Sequence, residues 1–446
     1  MKKIKILVLS EGPPPIGDAL VEGGGLRAWG ITASLAQKGH TVTYAYRFTF
    51  KRPKVASKAP RNVSIAQWSP DNIQELVNEH SHIVLRYSMG EMGLFIDSLS
   101  SRHILIADCY IPISVEVSAR DGKNLDREVN NYISETYWWQ RCIKRSDYIL
   151  YASVQQLNYY LGYLSAILKL NPASYSLLEG RLLKLPYGYF KKDIQKESSG
   201  NKQPALVWYG GIYPWFDMGP IVEAAKLIKK EIPEFKMIIA GAKNPYTDNK
   251  DFLEHYNMSM RKIAEISSFT EIIGHTSYSD RFKVYSKGST IITLNKEGLE
   301  NNLAWRTRLA DYIASRQPII TNGGDPLGEL AIENGNAIKI SDIHSPESIK
   351  VAFKESLNLH IYSDNTLVNE MTWEHNINTL NSILQDSSRL DPRLTDIDLS
   401  LLKPKNNFVK LHEGFSYSKL VLREQGVVAL IRKLLQKGLL KLKPSK

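Results

Sequence analysis

The sequence of 446 residues contains only two cysteines, Cys109 and Cys142, and they do not form a CxxC pair. Disulfide-stabilised domains and cysteine-ligated metal sites need more cysteines at closer spacing. No apolar run approaches the roughly 20 residues that a membrane-spanning helix requires. These absences disfavour a disulfide scaffold, a cysteine metal centre and a membrane-spanning protein, and we expect a cytoplasmic chain.

Residues 4–9 form a short apolar stretch that is interrupted by Lys5 and followed by Glu11 and three prolines. The apolar core of a secretory signal peptide is longer and is not interrupted by charge. We therefore interpret residues 4–9 as the first strand of the fold.

Hydrophobic residues make up 43% and charged residues 23% of the chain, which is typical of a soluble globular protein. A chain of this length is too long for one ordinary core, so we expect two domains of roughly 200 residues each. In each half, short β-like runs alternate with longer helical stretches, the pattern of a parallel sheet between helices. The predicted fold class is α/β, with two Rossmann-like domains that face a cleft.

The same alternation predicts the strands. In the first half they cover residues 4–9, 41–46, 82–86, 104–107 and 148–151, and in the second half 205–209, 235–240, 290–294, 318–321 and 337–340. The predicted division of the chain is a first domain over 1–190, a linker over 191–204, a second domain over 205–370, a helix that crosses back to the first domain over 371–385, a linker over 386–410 and a basic tail over 411–446.

The tail concentrates the positive charge of the chain, whose formal net charge is +11. Between residues 411 and 446 there are eight basic and two acidic residues, and apolar residues recur from Val427 to Leu435 at the spacing of one helix face. We expect a basic amphipathic helix that lies on an anionic membrane surface, at the inner face of the cell membrane. The alternative is a helix packed on a protein core or in a dimer. Nucleic acid is disfavoured as a partner because the basic residues cluster in one tail.

A glycine run, Gly23-Gly24-Gly25, precedes Arg27 at the start of a predicted helix. Glycines allow close approach of the backbone to a bound group, and the amides at a helix N-terminus attract anions. We interpret this segment as a loop for the acceptor or a phosphate, with a flexible turn as the alternative.

Further polar residues follow the predicted strand 104–107, namely Asp108, Tyr110 and Glu116. Ligands of open α/β sheets bind at the carboxyl ends of the strands, so these side chains are candidates for sugar hydroxyls. The alternative for Asp108 is a helix N-cap.

In the second half, two predicted strands end in glycines followed by aromatic or polar residues. Close backbone approach beside a flat apolar surface suits a nucleotide, although Trp215 is equally compatible with a core position. The candidate donor-binding residues at these strand ends are Gly210, Gly211, Trp215, Asp217 and Gly241.

The segment 297–325 places charged residues between two apolar strands. Arg306 or Arg308 can reach a diphosphate from a helix start, but an ideal helix does not point both the same way. Asp311 can accept hydrogen bonds from ribose hydroxyls, and Gly323-Gly324 can offer backbone amides.

Together these blocks resemble the family-four type of retaining bacterial glycosyltransferases, in the branch that acts on surface polysaccharides. The resemblance covers about residues 4–385. Matching positions are Gly23 to Gly25 with Arg27; Asp108, Tyr110, Pro112 and Glu116; Gly210 to Ile212 with Trp215 and Asp217; Gly241 with Pro245; and Glu300, Arg306 to Arg308, Asp311-Tyr312, Pro318 and Gly324-Asp325.

The sequence departs from the family pattern at two places. Asp311 stands where the second of two spaced glutamates is expected, so the first carboxylate comes from Glu297 or Glu300. The arginine and lysine that usually follow the Gly-Gly strand end are absent, and we expect Arg306 or Arg308 to replace them at the diphosphate.

The resemblance implies the GT-B architecture and transfer of a hexose or deoxyhexose from a nucleoside diphosphate sugar, with retention, to a lipid-linked or polysaccharide acceptor. It implies no cofactor and no metal ion. We assign catalysis to Asp108 on the acceptor side, Glu300 near the donor sugar and Arg306 at the diphosphate. The alternatives are a sugar-nucleotide epimerase of the same fold and a non-catalytic sugar-nucleotide-binding membrane scaffold.

Overall fold

Runs of isoleucine, leucine and valine that are buried on both sides form the central strands of two sheets. The structure is a computed structural model that describes residues 3–47 without 11, 18 and 20, residues 59–86, 96, 99–119, 125–195, 203–243, 250–361 and 365–391. Residues 1–395 form one compact unit, and the predicted tail 411–446 lies in a second unit outside the described residues.

The first sheet has seven parallel strands in the order β3-β2-β1-β4-β5-β6-β7. Its strands are β1 (Lys5–Ser10), β2 (Thr41–Arg47), β3 (Val63–Trp68), β4 (His82–Arg86), β5 (Ile104–Asp108), β6 (Tyr148–Tyr151) and β7 (Leu182–Lys184).

The second sheet has six parallel strands in the order β10-β9-β8-β11-β12-β13. Its strands are β8 (Ala205–Tyr209), β9 (Lys236–Ala240), β10 (Thr270–Ile273), β11 (Thr290–Thr293), β12 (Ile319–Thr321) and β13 (Ala337–Lys339).

Helices connect the strands, because parallel neighbours require a crossover. In chain order they are Gly23–Gln37, Ile73–Asn78, Ile113–Ser118, Leu125–Arg145, Val154–Ala166, Tyr175–Glu179, Gly219–Glu231, Lys250–Ala264, Arg281–Tyr285, Leu299–Leu303, Thr307–Ala314, Pro326–Glu333, Pro346–Ser356, Thr366–Glu370 and Trp373–Leu384. No helix within these ranges is both long and apolar enough to cross a membrane.

The strand order reverses once in each sheet, between β1 and β4 and between β8 and β11. A crevice opens at such a switch point, beyond the carboxyl ends of the strands. The prediction of two Rossmann-like parallel sheets is therefore confirmed, and the topology locates the two places where a ligand is expected.

All ten predicted strands are present within one or two residues of their expected ends. The three strands that the sequence pattern missed, β3, β7 and β10, lie at the edges of the sheets. Edge strands are half exposed, so they lack the continuous apolar run of a central strand.

The helix Trp373–Leu384 packs against the helix Gly23–Gln37 and against β7 of the first sheet. Its Trp373 packs against the helix Gly23–Gln37, where a Cβ added to Gly30 would lie 2.1 Å from the indole ring. The backbone N–H of Trp373 donates to the carbonyl of Tyr189 at 2.8 Å, which fixes the entry of this helix. The two helices can pack this closely because residue 30 is glycine and has no side chain.

The substitution Gly30→Ala tests this packing. We expect it to lower the free energy of unfolding by about 1–3 kcal/mol, because the added methyl overpacks a contact with a rigid ring. Gly162→Ala is the matched control, since nothing lies within 4 Å of an added Cβ in the helix Val154–Ala166, and alanine there should be neutral or stabilise by up to ~1 kcal/mol. Urea unfolding measures both; equal effects of the two substitutions would contradict the packing account.

Candidate active site

A cleft lies between the carboxyl ends of the two sheets and contains two adjoining cavities. The central cavity, of 280 Å³, is lined by Arg86, Tyr110, Trp215 and Glu300 among others. The side cavity, of 170 Å³, is lined by residues that include Tyr209, Lys243, Tyr278 and Asp311. Residues that line both cavities are Glu22, Gly23, Tyr213, Thr307 and Arg308. The two cavities are therefore parts of one site.

Gly23 and Gly24 begin the helix Gly23–Gln37 and line the cleft, so the positive end of the helix dipole faces the central cavity. A Cβ on Gly24 would lie 1.4 Å from Nη1 of Arg86, and one on Gly23 would lie 3.0 Å from Oγ1 of Thr307. Glycine at these positions lets the guanidinium of Arg86 and the second half of the chain approach the backbone. The segment forms the first turn of this helix.

Arg27 and Asp108 form a buried ion pair behind the central cavity. Nε of Arg27 donates to Oδ2 of Asp108 at 2.7 Å and Nη2 donates to Oδ1 at 2.6 Å, and the residues are 0% and 3% exposed. The guanidinium lies 4.4 Å from the ring centre of Tyr110, which does line the cavity. Asp108 ends β5, and Pro112 is the N-cap of the next helix, so the N-cap alternative for Asp108 is wrong.

Aromatic residues form one wall of the central cavity at the end of β8. The rings of Tyr213 and Trp215 stack with 5.0 Å between their centres, and Phe252 packs edge-on at 5.9 and 5.8 Å from them. Trp215 and Phe216 both line the cavity, and Phe216 is otherwise buried. The wall provides a flat apolar surface of the kind that sugar rings and bases contact.

Arg308 is half-buried against this wall and lines both cavities. Its guanidinium carbon lies 4.3 Å from the ring centre of Phe216 and 5.1 Å from that of Trp208. Nη2 donates to the carbonyl of Gly211 at 2.8 Å, while the buried Nη1 has no hydrogen-bond partner among the described residues. Burial lowers the pKa of Arg308, but an arginine stays protonated. The result is a half-buried cation whose buried Nη1 is a donor available to a ligand.

Gly210 and Gly241 allow the backbone to come close to its neighbours in the wall of the side cavity. Gly210 has a φ of 106°, in the left-handed region, and a Cβ there would lie 3.2 Å from Nη2 of Arg308. Gly241 also has a positive φ of 65° and lines the side cavity beside Gly210 and Gly211. Asp217, by contrast, accepts the backbone N–H of Gly219 at 2.9 Å, at the start of the helix Gly219–Glu231, and lines neither cavity.

Arg306 and Glu300 pair with each other at the cleft. Nη1 of Arg306 donates to Oε1 of Glu300 at 3.0 Å, and Nη2 donates to Oε2 at 2.7 Å and to Oδ1 of Asn301 at 3.0 Å. Arg306 is the N-cap of the helix Thr307–Ala314 and has extended dihedral angles. Since it precedes the helix, the ideal-helix argument does not apply, and the expectation that Arg306 and Arg308 point apart is wrong: both line the central cavity.

Gly323 and Gly324 support this pair from behind. The amide of Asn301 donates to the carbonyl of Gly323 at 3.0 Å, and a Cβ on Gly324 would lie 2.6 Å from the same amide. The backbone N–H of Gly324 donates to Glu329 at 2.6 Å. Both glycines lie outside the linings of the two cavities.

Asp311 lines the side cavity with its carboxylate held by two neighbours. The hydroxyl of Tyr278 donates to Oδ1 at 3.2 Å, and Nε of Arg281 lies 3.1 Å from the same oxygen. Burial raises the pKa of Asp311, and the charge of Arg281 opposes this shift. Arg281 also bonds to Asp193, which lies between the two sheets in the chain, at 3.1 Å.

Gln156 and Trp305 hold the floor of the cleft together. The side-chain amide of Gln156 donates to the carbonyls of Tyr110 at 2.7 Å and Leu303 at 2.8 Å, one from each half of the chain. Nε1 of Trp305 donates to the carbonyl of Tyr187 at 3.1 Å. These bonds connect the two sheets directly below the central cavity.

Several cleft residues were missed by the sequence argument. Arg86 ends β4, so the strand-end rule applied to Asp108 would have found it. His275 and Thr276 follow β10, an edge strand that the pattern did not predict. Within the described ranges, no group of three or more histidine, cysteine, aspartate or glutamate side chains is placed to hold a metal ion.

No protein-family model and no curated protein matches the sequence. Solved structures do match. A sucrose-phosphate synthase from Thermosynechococcus elongatus aligns with a TM-score of 0.58 and 13% identity over 86% of this chain and 99% of its own. An alpha-glucosyltransferase in complex with UDP-glucose and DNA aligns with a TM-score of 0.53 and 12% identity over 88% of this chain and 98% of its own.

A protein from Listeria monocytogenes, named as a candidate UDP-N-acetylglucosamine 2-epimerase, gives a TM-score of 0.50 and 11% identity over 86% of this chain and 96% of its own. Identities this low establish the fold alone. The chain therefore has the GT-B fold of glycosyltransferases, which an epimerase of this kind shares.

The ion pair behind the cavity generates a stability prediction. Asp108→Ala should lower the free energy of unfolding by about 3–5 kcal/mol, because it leaves the Arg27 guanidinium buried without its counter-charge. The double substitution Arg27→Met and Asp108→Leu, which removes both charges, should lower the free energy of unfolding less than Asp108→Ala alone does. The control is Lys354→Ala, which breaks the exposed pair with Glu231 and should cost less than about 1 kcal/mol. Urea unfolding measures these losses of stability. If Asp108→Ala loses no more than Lys354→Ala does, the stabilising role of the buried ion pair is contradicted.

Proposed function

We propose that this chain is a retaining glycosyltransferase that transfers a hexose or deoxyhexose from a nucleoside diphosphate sugar to a lipid-linked or polysaccharide acceptor in cell-surface glycan synthesis. The observation that carries the proposal is Arg308, a half-buried cation whose buried Nη1 has no hydrogen-bond partner among the described residues, at the point where the two cavities meet. A diphosphate is the part of the donor that such a group recognises best, because charge-assisted hydrogen bonds are strong where water is excluded.

The nucleoside fits the side cavity. Gly210, Gly211 and Gly241 allow close backbone approach, and Tyr209 and Tyr285 provide rings for an aromatic base. Asp311 is the acceptor for ribose hydroxyls, with Tyr278 and Arg281 fixing the orientation of its carboxylate.

The transferred sugar fits the central cavity. Glu300, held by Arg306, faces this space from the second half of the chain, and Trp215 offers a surface for the sugar ring. Negative charge that develops on the leaving diphosphate is stabilised by Arg308 and by the N-terminus of the helix Gly23–Gln37. We therefore expect activity without a metal ion or a cofactor.

The acceptor approaches from the first half of the chain, where Tyr110, Glu116 and Arg86 line the central cavity. Arg27 and Asp108 position Tyr110 and the glycine segment from behind the wall. This refines the earlier assignment of Asp108, whose contribution we propose to be positioning of the acceptor wall.

The similar structures support glycosyl transfer from a UDP-linked sugar, because one of them is an alpha-glucosyltransferase in complex with UDP-glucose. They do not distinguish transfer from epimerisation, since a candidate epimerase shares the fold. We also propose that the protein works at the cytoplasmic face of a membrane, where a lipid-linked acceptor is available.

Replacing the Arg308 cation tests the donor site. Arg308→Gln keeps a donor toward Gly211 but removes the charge, so we expect nucleotide-sugar affinity to fall by 1.5–3 kcal/mol, roughly 10- to 150-fold. Calorimetry with UDP-, GDP- and dTDP-linked sugars measures the change. Arg261→Gln, on the exposed side of the helix Lys250–Ala264, is the control and should bind like the wild type. Equal affinities of the two variants would refute the assignment of Arg308.

Product analysis separates the three candidate functions. A transferase releases nucleoside diphosphate faster when a glycan acceptor is added, and NMR of the product should show the anomeric configuration of the donor. An epimerase converts the sugar without acceptor, and a scaffold binds donor without turnover. Inversion of configuration in the product would contradict the retaining reaction, and loss of activity with a chelator would contradict metal independence.

A further inference from the structure

The helix Leu125–Arg145 exposes a stripe of apolar side chains in its N-terminal and middle turns. Its C-terminal half buries Trp139, Cys142 and Ile143 in the core. The stripe, which follows the spacing i, i+3, i+4 and i+8 of one helix face, consists of Val129, Tyr132, Ile133 and Tyr137, which are 45%, 38%, 57% and 49% exposed. An apolar stripe of this kind on the surface of a soluble protein is a sign of a partner.

Aromatic and basic side chains continue the stripe toward the C-terminal end of the helix. The rings of Tyr137 and Trp138 meet edge to face at 5.0 Å. The guanidinium of Arg141 lies 5.4 and 5.5 Å from their centres, and its Nη1 donates to the hydroxyl of Tyr137 at 2.7 Å. Tyrosine, tryptophan and long basic side chains are the residues that prefer the boundary between lipid and water.

The stripe by itself offers less area than a stable protein interface buries. Four side chains that are about half exposed offer roughly 400 Å², whereas a stable interface buries about 800 Å² on each partner. A lipid surface has no such minimum, because each inserted side chain contributes independently to partitioning.

The stripe is continuous with the cleft through Tyr132. This residue lines an outer cavity of 510 Å³ together with Val115, Trp215 and Glu300, and those three also line the central cavity. Leu299, which is 76% exposed, lies on the wall contributed by the second half of the chain. A molecule that leaves the central cavity by this route passes directly beside the stripe.

We propose that this stripe inserts into the interfacial layer of a membrane and thereby sets the outer cavity at the lipid–water boundary. The reason for such a contact rests on the proposed function. A lipid-linked acceptor keeps its lipid in the membrane while its glycan enters the central cavity. The helix carries four basic and three acidic residues, so its contact depends on apolar insertion rather than on net charge. It is therefore insensitive to salt, unlike a contact made by the basic tail.

Site-specific fluorescence tests the insertion. Both native cysteines are buried, so Ile133→Cys in the full chain can be labelled selectively with an environment-sensitive fluorophore. With vesicles of phosphatidylcholine and phosphatidylglycerol in 0.5 M salt, we expect a blue shift and quenching by spin-labelled lipids. The control is Ile272→Cys, a 56% exposed position on β10, which should keep its emission in water.

An unshifted probe at position 133 would overturn the proposal, whether the chain binds the vesicles or stays free. A blue shift without vesicles that grows with protein concentration would also overturn it and would identify a second copy as the occupant. In an independent test, Ile133→Glu should lower vesicle partitioning about tenfold, the loss expected for one buried side chain, while Ile272→Glu leaves it unchanged. Nucleotide-sugar binding should be equal in both variants, so failure here is distinguishable from failure of the proposed function.

Discussion

The cleft depends on one guanidinium, that of Arg308, which is half-buried and has its Nη1 atom fully buried. Taking a cation out of water is costly unless the surroundings compensate for it. Here the compensation comes from the faces of Phe216 and Trp208 and from one backbone carbonyl, that of Gly211. Because this leaves Nη1 unpaired among the described residues, the site is most stable when an anion completes it. Gly210 and Gly211, which follow β8, and the helix start at Thr307 line the same cavity as this guanidinium.

The same region connects the donor side of the cleft to the junction of the two sheets. Arg281 bridges Asp311, in the side cavity, and Asp193, which lies between the sheets in the chain. Gln156 and Trp305 add bonds that join the two halves below the central cavity. A ligand that contacts Asp311 therefore acts on a network that also fixes the position of one sheet against the other.

The sequence predicted most of the fold because the central strands are buried on both faces and read as continuous apolar runs. It missed β3, β7 and β10, where exposure at a sheet edge breaks the run. In the cleft, the strand-end rule located Gly210, Gly241 and Tyr110. The rule did not reveal that Asp108 is covered by Arg27, because that pairing joins residues 81 positions apart and depends on packing. It missed Tyr278 and Arg281, which follow the unpredicted strand β10.

Hydrogen exchange with a bound donor tests the central claim most directly. With the UDP-, GDP- or dTDP-linked sugar that binds most tightly, the account predicts slower exchange of the backbone amides of residues 209–212 and 306–312, and unchanged exchange in the edge strand β3. Protection confined to the first sheet, with residues 209–212 and 306–312 unaffected by saturating donor, would contradict it.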